Sequence, residues 1–211
     1  YFFLQNRFAV IPNGVDTNFF SKKLFAKKTL KKSILTIGMA ARFTPEKRQD
    51  LLIEALSCIE RSLPELSITL SFAGDGETLQ ACKKLAYNKN LNSVLSFEGM
   101  LGESELSDWF NELDMYVHAT ESETLSTSLL QAMSFGLPII ASDIPGVSNL
   151  LSQEKEYGLV CSNSHLEFSE KIIKLAECPS DQQLFGQNAR YKVIEKYSNL
   201  KMFQSYIEML S

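Results

Sequence analysis

The chain has 211 residues, of which 45 % are hydrophobic and 22 % charged, so it can bury a sizeable core and is neither disordered nor fibrous. Its net charge of −4 gives no overall positive field, which argues against nucleic acid as a partner and leaves membrane association at most peripheral. No apolar run reaches the roughly 18 residues of a membrane span, and no signal peptide is visible.

The elements alternate along the chain. Phe8 to Ile11 is a short apolar run closed by the turn residues Pro12-Asn13-Gly14. Lys22, Lys23, Lys27, Lys28, Lys31 and Lys32 follow; they could touch anionic lipid, and the simpler reading is a solvated loop. Ile34 to Gly38 reads as a strand. Thr44-Pro45-Glu46 then predicts a helix start, with Thr44 as cap and Pro45 in the first position. Leu51, Leu52, Ala55, Leu56 and Ile59 give that helix one apolar face, and Pro64 ends it. Ile68, Leu70 and Phe72 alternate with polar residues as a strand does. Leu79 to Ala86 is helical, Val94 to Phe97 a strand, and Leu106 to Leu113 a short helix whose apolar face includes Trp109, read as core. Met115 to Val117 is a strand, Ser126 to Phe135 a helix stopped by Gly136, and Leu137 to Ala141 a strand. Tyr157 to Cys161 is the last strand, and the chain is helical from His165 onward. This alternation predicts one α/β domain over residues 1–211, a doubly wound, Rossmann-like parallel sheet of about six strands with helices on both faces.

In such a sheet, ligands gather at the C-terminal strand ends. Four loops belong there: Met39–Lys47, Gly74–Glu77, Gly99–Glu103 and His118–Ser126. Arg42 and Lys47 in the first can converge on a phosphate, or can be plain surface cations. In the fourth, the helix N-terminus offers amides to a diphosphate, Ser126 and Thr127 add hydroxyls, Glu123 can accept sugar hydroxyls, and Gln131 can reach a ribose. The plainer alternative is that Thr124 or Ser126 caps the helix and Glu123 complements its dipole. His118 ends a strand beside the site, where a structural role and a ligand contact both remain open.

Other chemistries do not fit. Gly74-Asp75-Gly76 has Leu79 where a dinucleotide fingerprint needs its third glycine. Two histidines, His118 and His165, suggest no triad. Cys58, Cys82, Cys161 and Cys178 form no C-x-x-C pair, so reduced thiols are expected rather than disulfides or a metal site.

Taken in order, several segments resemble the C-terminal domain of the GT-B glycosyltransferases of family 4, the retaining "glycosyltransferase group 1" set. These are Val10-Ile11-Pro12-Asn13-Gly14-Val15-Asp16, Gly38 to Lys47, Ala73-Gly74-Asp75-Gly76, Phe97-Glu98-Gly99, Asp114 to Val117, and above all Glu123 to Pro138, which is similar to that family's E-x7-E region. The resemblance implies that Arg42 and Lys47 grip a donor diphosphate and Glu123 holds the transferred sugar. Amides around Leu125, Ser126 and Thr127 would meet sugar and phosphate, Gly74 would form the family's G-x-G turn, and Met100 and Leu101 would flank the base. Gln131 stands where the family has its second acid, Arg48 where it usually has Gly, and Thr124, Leu125 and Ser126 where small residues are common, so ribose and sugar contacts should differ.

The unpaired cysteines point to a cytoplasmic protein, at most peripheral on the inner membrane face, and the resemblance further implies a transferase using a nucleotide-sugar (UDP-sugar as default) without cofactor or metal. The acceptor, a saccharide or a lipid-linked one, would be bound by an N-terminal domain absent from this chain, which begins at Tyr1 without methionine. The alternatives are a non-catalytic GT-B-like subunit and a nucleotide-sugar epimerase or phosphorylase.

Overall fold

A computed structural model describes residues 10–22, 34–151 and 157–210. The lysines from Lys23 to Lys32 and the start of the Phe8–Ile11 run lie outside the described residues. Six strands form one sheet: β1 (Leu35–Ala40), β2 (Ile68–Ala73), β3 (Leu95–Gly99), β4 (Met115–His118), β5 (Ile139–Ser142) and β6 (Leu159–Cys161). Their spatial order is β3-β2-β1-β4-β5-β6, parallel throughout. This is the doubly wound arrangement read from the alternation, and its order reverses between β1 and β4.

The central strands are apolar on both faces because helices cover both. Along β4 the pleat sends Met115 and Val117 into one layer and Tyr116 into the other. The first layer holds α1 (Gln49–Ser62), α2 (Leu79–Asn88) and α6 (His165–Ala176), with Leu52, Leu56, Cys82 and Phe168 in its core. The second holds α3 (Glu103–Glu112), α4 (Thr127–Ser134), α5 (Pro145–Leu151) and most of α7 (Pro179–Lys196), around Phe110, Leu130, Met133 and Val193. Phe110 stacks on Phe135 at 5.5 Å. Trp109 belongs to this layer as expected, and its Nε1 donates to Ser71 Oγ at 2.8 Å. A last helix, α8 (Asn199–Leu210), buries none of its residues.

Two expectations are corrected. First, α1 begins at Gln49, not at Pro45; Arg48 is its N-cap position and Thr44 caps nothing. Tertiary bonds override the local signal. The Lys47 amide turns back to Thr44 O (2.9 Å), Glu121 N–H donates to Glu46 O (2.8 Å), and Gln49 Nε2 donates to Arg42 O (2.9 Å). Lys47 therefore sits in a turn ahead of the helix. Second, α5 is an extra helix between β5 and β6. The stretch from His165 onward is helical as expected, in three pieces, α6, α7 and α8. All four cysteines are free.

Candidate functional site

The four loops gather along the C-terminal ends of the strands, and those following β1 and β4 face each other across the point where strand order reverses. The first is held rigidly. Ala41 and Phe43 pair by their amides with Ala73 O and Asp75 O (3.0 and 2.9 Å), which clamps Arg42 between them. Gly74, at φ +136°, lies so close that a Cβ there would stand 2.0 Å from Ala41 O. Only glycine permits both the conformation and the contact.

The second loop runs from His118 into α4. Ser126 is the cap: its Oγ accepts from Leu129 N–H at 3.3 Å. Capping uses one lone pair of that hydroxyl and leaves its O–H, expected as a ligand donor, to be given elsewhere; its oxygen also lies 3.1 Å from Ser128 Oγ. The helix supplies no partner for the first-turn amides of Thr127 and Ser128. From the far side, Gly146 at the start of α5 abuts the loop so tightly that a Cβ would stand 1.8 Å from Glu123 O. Nothing in the residue pattern announced α5, so this buttress was invisible beforehand.

Between the two loops opens a pocket of about 480 Å³. Its lining includes every residue singled out from the sequence: Arg42, Lys47, Gly74, Met100, Leu101, His118, Glu123, Leu125, Ser126, Thr127 and Gln131. Ala40, Ala41, Ala73, Leu106 and Ser128 complete the wall; the first three lie at or just past the ends of β1 and β2, inside segments already marked, whereas Leu106 and Ser128 were not singled out. A larger groove of about 770 Å³ lies near β3 and Trp109, but among the described residues no lysine or arginine lines it. It offers nothing to hold a phosphate.

The electrostatics centre on one ion pair. Lys47 Nζ sits 2.7 Å from Glu123 Oε2, with side chains 14 % and 16 % exposed, and 3.4 Å from Thr120 Oγ1. The His118 ring, whose Nε2 is 3.8 Å from the same oxygen, and the Lys47 ammonium hold the Glu123 carboxyl down at about 2, outweighing its desolvation. His118 is almost wholly buried, and neither ring nitrogen has a hydrogen-bond partner within 3.5 Å among the described residues; the Nε2 contact with Glu123, at 3.8 Å, is long and electrostatic. Burial pushes its pKa below the ordinary value; Glu123 opposes that shift and Lys47 reinforces it, so the ring is neutral near pH 7. Tyr116 stacks on it at 6.0 Å. Tyr116 Oη receives the Ala40 amide (3.3 Å) and reaches Ser128 Oγ (3.0 Å), joining the two loops from beneath; burial drives its pKa up to about 12. Outside the pocket, Arg48 spans Asp50 and Glu121 (3.0 and 2.7 Å), so the residue standing where the similar family has Gly serves as a strut. An exposed guanidinium, a lysine shared with a carboxylate, an unpartnered buried imidazole and a helix tip thus face one cavity. Among the described residues no three His, Cys, Asp or Glu gather as metal ligands.

The family model described as glycosyl transferases group 1 matches residues 20–192. The chain belongs to that family. An uncharacterized glycosyltransferase of Methanocaldococcus jannaschii is 30 % identical over 176 residues, covering 83 % of this chain and 44 % of the relative. The alpha-monoglucosyldiacylglycerol synthase of Streptococcus pneumoniae is 27 % identical over 165 residues, covering 74 % and 37 %. This chain therefore spans less than half the length of either relative. Among solved structures, Anabaena Alr3699/HepE, crystallised with UDP and glucose, superposes with a TM-score of 0.83 at 19 % identity, covering 96 % of this chain and 56 % of that one. At that identity the likeness establishes the fold: this group 1 chain has the doubly wound sheet of the glycosyltransferases it resembles. No described helix is long and apolar enough to cross a membrane.

Proposed function

We propose that residues 1–211 form the donor-binding domain of a retaining glycosyltransferase that moves a sugar from a nucleoside-diphosphate sugar, a UDP-sugar first among them, to a saccharide or lipid-linked acceptor. The observation that carries this reading is the convergence of Arg42, Lys47 and the N-terminus of α4 on one cavity that also holds Glu123. Arg42 grips the diphosphate by a two-pronged contact, Lys47 adds a point charge, and the amides of Thr127 and Ser128 complete the anion site. Glu123 and the unpartnered His118 meet the hydroxyls of the sugar. Gln131 binds the ribose as a neutral donor and acceptor, while Met100 and Leu101 flank the base.

As the bond between the anomeric carbon and the diphosphate oxygen breaks, the developing negative charge lies among Arg42, Lys47 and the helix tip, fixed before reaction begins. That charge placement removes the need for a metal ion. Retention of configuration and acceptor binding by a separate domain come with the family. The relatives' length supports the second point, and a relative named for a glucosylated diacylglycerol product supports a lipid-linked acceptor. Cytoplasmic residence fits the free thiols.

Calorimetric titration of the chain with UDP, ADP and GDP tests the reading. Arg42→Ala is expected to weaken the preferred diphosphate about 10- to 100-fold, the loss of a charge-assisted hydrogen bond. A folded Arg42→Ala chain that binds all three nucleotides as well as the wild type would refute it.

A further inference from the structure

Lys47 and Glu123 are held in place by residues that line no part of the pocket. The ladders of β4, β5 and β6 end at the pairs His118↔Ala141 and Ser142↔Cys161. Beyond them the backbone of Thr120 must find partners elsewhere, because it is fully buried. It finds them in a closed ring. Thr120 N–H donates to Ser142 Oγ at 2.8 Å, the Ser142 hydroxyl donates to Asn163 Oδ1 at 2.6 Å, and Asn163 Nδ2 donates to Thr120 O at 3.0 Å. Side chains at the ends of β5 and β6 thus take over, for one peptide, the work of the strand ladder.

What the ring fixes is Thr120, and Thr120 touches Lys47 from behind the pocket wall. Its hydroxyl donates to Ser122 O at 3.0 Å, setting the path of the chain into Glu123, and accepts from Lys47 Nζ at 3.4 Å. The next residue, Glu121, grips the Lys47 turn through Glu46 O and Arg48. Asn163 is the keystone because only an amide serves both ends: its oxygen receives Ser142 and its nitrogen holds the Thr120 carbonyl. An aspartate would keep the first bond and lose the second.

We infer that Asn163, acting through Ser142 and Thr120, is a positioning residue that sets Lys47 against the diphosphate, and so determines how strongly the site prefers a diphosphate to a monophosphate. The inference rests on the proposed donor-binding role of the pocket. A residue that merely stabilised the fold would weaken all nucleotides alike; with Lys47 placed on the second phosphate, its positioning residue weakens UDP and spares UMP.

The test is titration of the chain with UDP and with UMP, alongside thermal melts, for wild type, Asn163→Ala, Asn163→Asp and Ser142→Ala. The ratio of UDP to UMP affinity is expected to fall about five- to tenfold in Asn163→Ala, the effect of one lost hydrogen bond passed to the ammonium. UMP affinity should stay within about twofold, and Ser142→Ala should behave alike. If Asn163→Ala does not melt cooperatively, Asn163→Ser keeps a small polar side chain and carries the same comparison. An unchanged ratio in folded variants, or equal weakening of both nucleotides, overturns the inference alone. A wild-type chain that does not prefer UDP to UMP overturns the diphosphate reading of the pocket and this inference with it.

Discussion

Replacing Glu123 by glutamine should make the protein bind free UDP more tightly. In the unliganded site the Lys47 ammonium is already satisfied, 2.7 Å from a carboxylate that is ionised at all working pH values because its pKa lies near 2. Free UDP brings no sugar for Glu123 to hold, so it meets Lys47 only by drawing the ammonium away from this partner. At an effective dielectric of about 20, two unit charges at contact interact by about 4 kcal/mol or more. Much of that is returned as desolvation and side-chain ordering. With both side chains about one-sixth exposed, the net coupling falls above that of open surface pairs, at about 1–2 kcal/mol, equivalent to a 5- to 30-fold change in affinity. Glu123→Gln keeps the shape, removes the competing charge and releases that amount. A UDP-sugar should respond differently, because the carboxylate it loses would have accepted charge-assisted hydroxyl bonds worth about 1.5–3 kcal/mol each. The assay is calorimetry at low ionic strength with UDP and UDP-glucose. Expected are tighter UDP binding and unchanged or weaker UDP-glucose binding. A cooperatively folding Glu123→Gln chain that binds UDP no better than wild type would refute the reasoning.

Other consequences concern the scaffold and its titration. Gly74→Ala forces a left-handed backbone onto alanine and drives a methyl into Ala41 O; a loss of about 2–4 kcal/mol in urea unfolding is expected, with nucleotide binding impaired because Arg42 is the next residue. Acid should destabilise the chain in two stages. His118 has a lowered folded pKa, so the unfolded chain takes up more protons and stability falls as pH drops below about 6.5. Glu123, also lowered, contributes stability that is present above about 4.5 and lost as pH falls towards 2. His118→Gln should remove the first stage and Glu123→Gln the second, as read by melting temperature against pH.

Much of this was legible in the residues. Six runs marked six strands for two reasons: the central Met115 to Val117 and Leu137 to Ala141 are buried on both faces and read as unbroken apolar stretches, whereas Ile68, Leu70 and Phe72 showed the two-residue alternation of a strand. The pocket loops were legible because a parallel sheet dictates where they must lie. What stayed hidden depended on contacts between distant residues. Thr44-Pro45 is a good local helix start, yet bonds from Glu121 and to Arg42 delay α1 to Gln49. The seven residues of α5 are too few to show a helical period, and Pro145-Gly146 reads as a break. The Lys47–Glu123 pair spans 76 positions and the Thr120–Asn163 bond 43, separations at which no spacing rule applies.

The order β2-β1-β4-β5 has a thermodynamic corollary. The cations come from the segment after β1, whereas the carboxylate and the helix tip come from the segment after β4, and the two meet only when β1 and β4 zip together through Ile37↔Met115 and Gly38↔Tyr116. Neither segment alone could cradle a pyrophosphate, so any nucleotide affinity is conditional on that seam being closed. A bound nucleotide then acts as a clasp, adding about 2.7 kcal/mol to the cohesion of the whole sheet at a hundredfold excess over its dissociation constant.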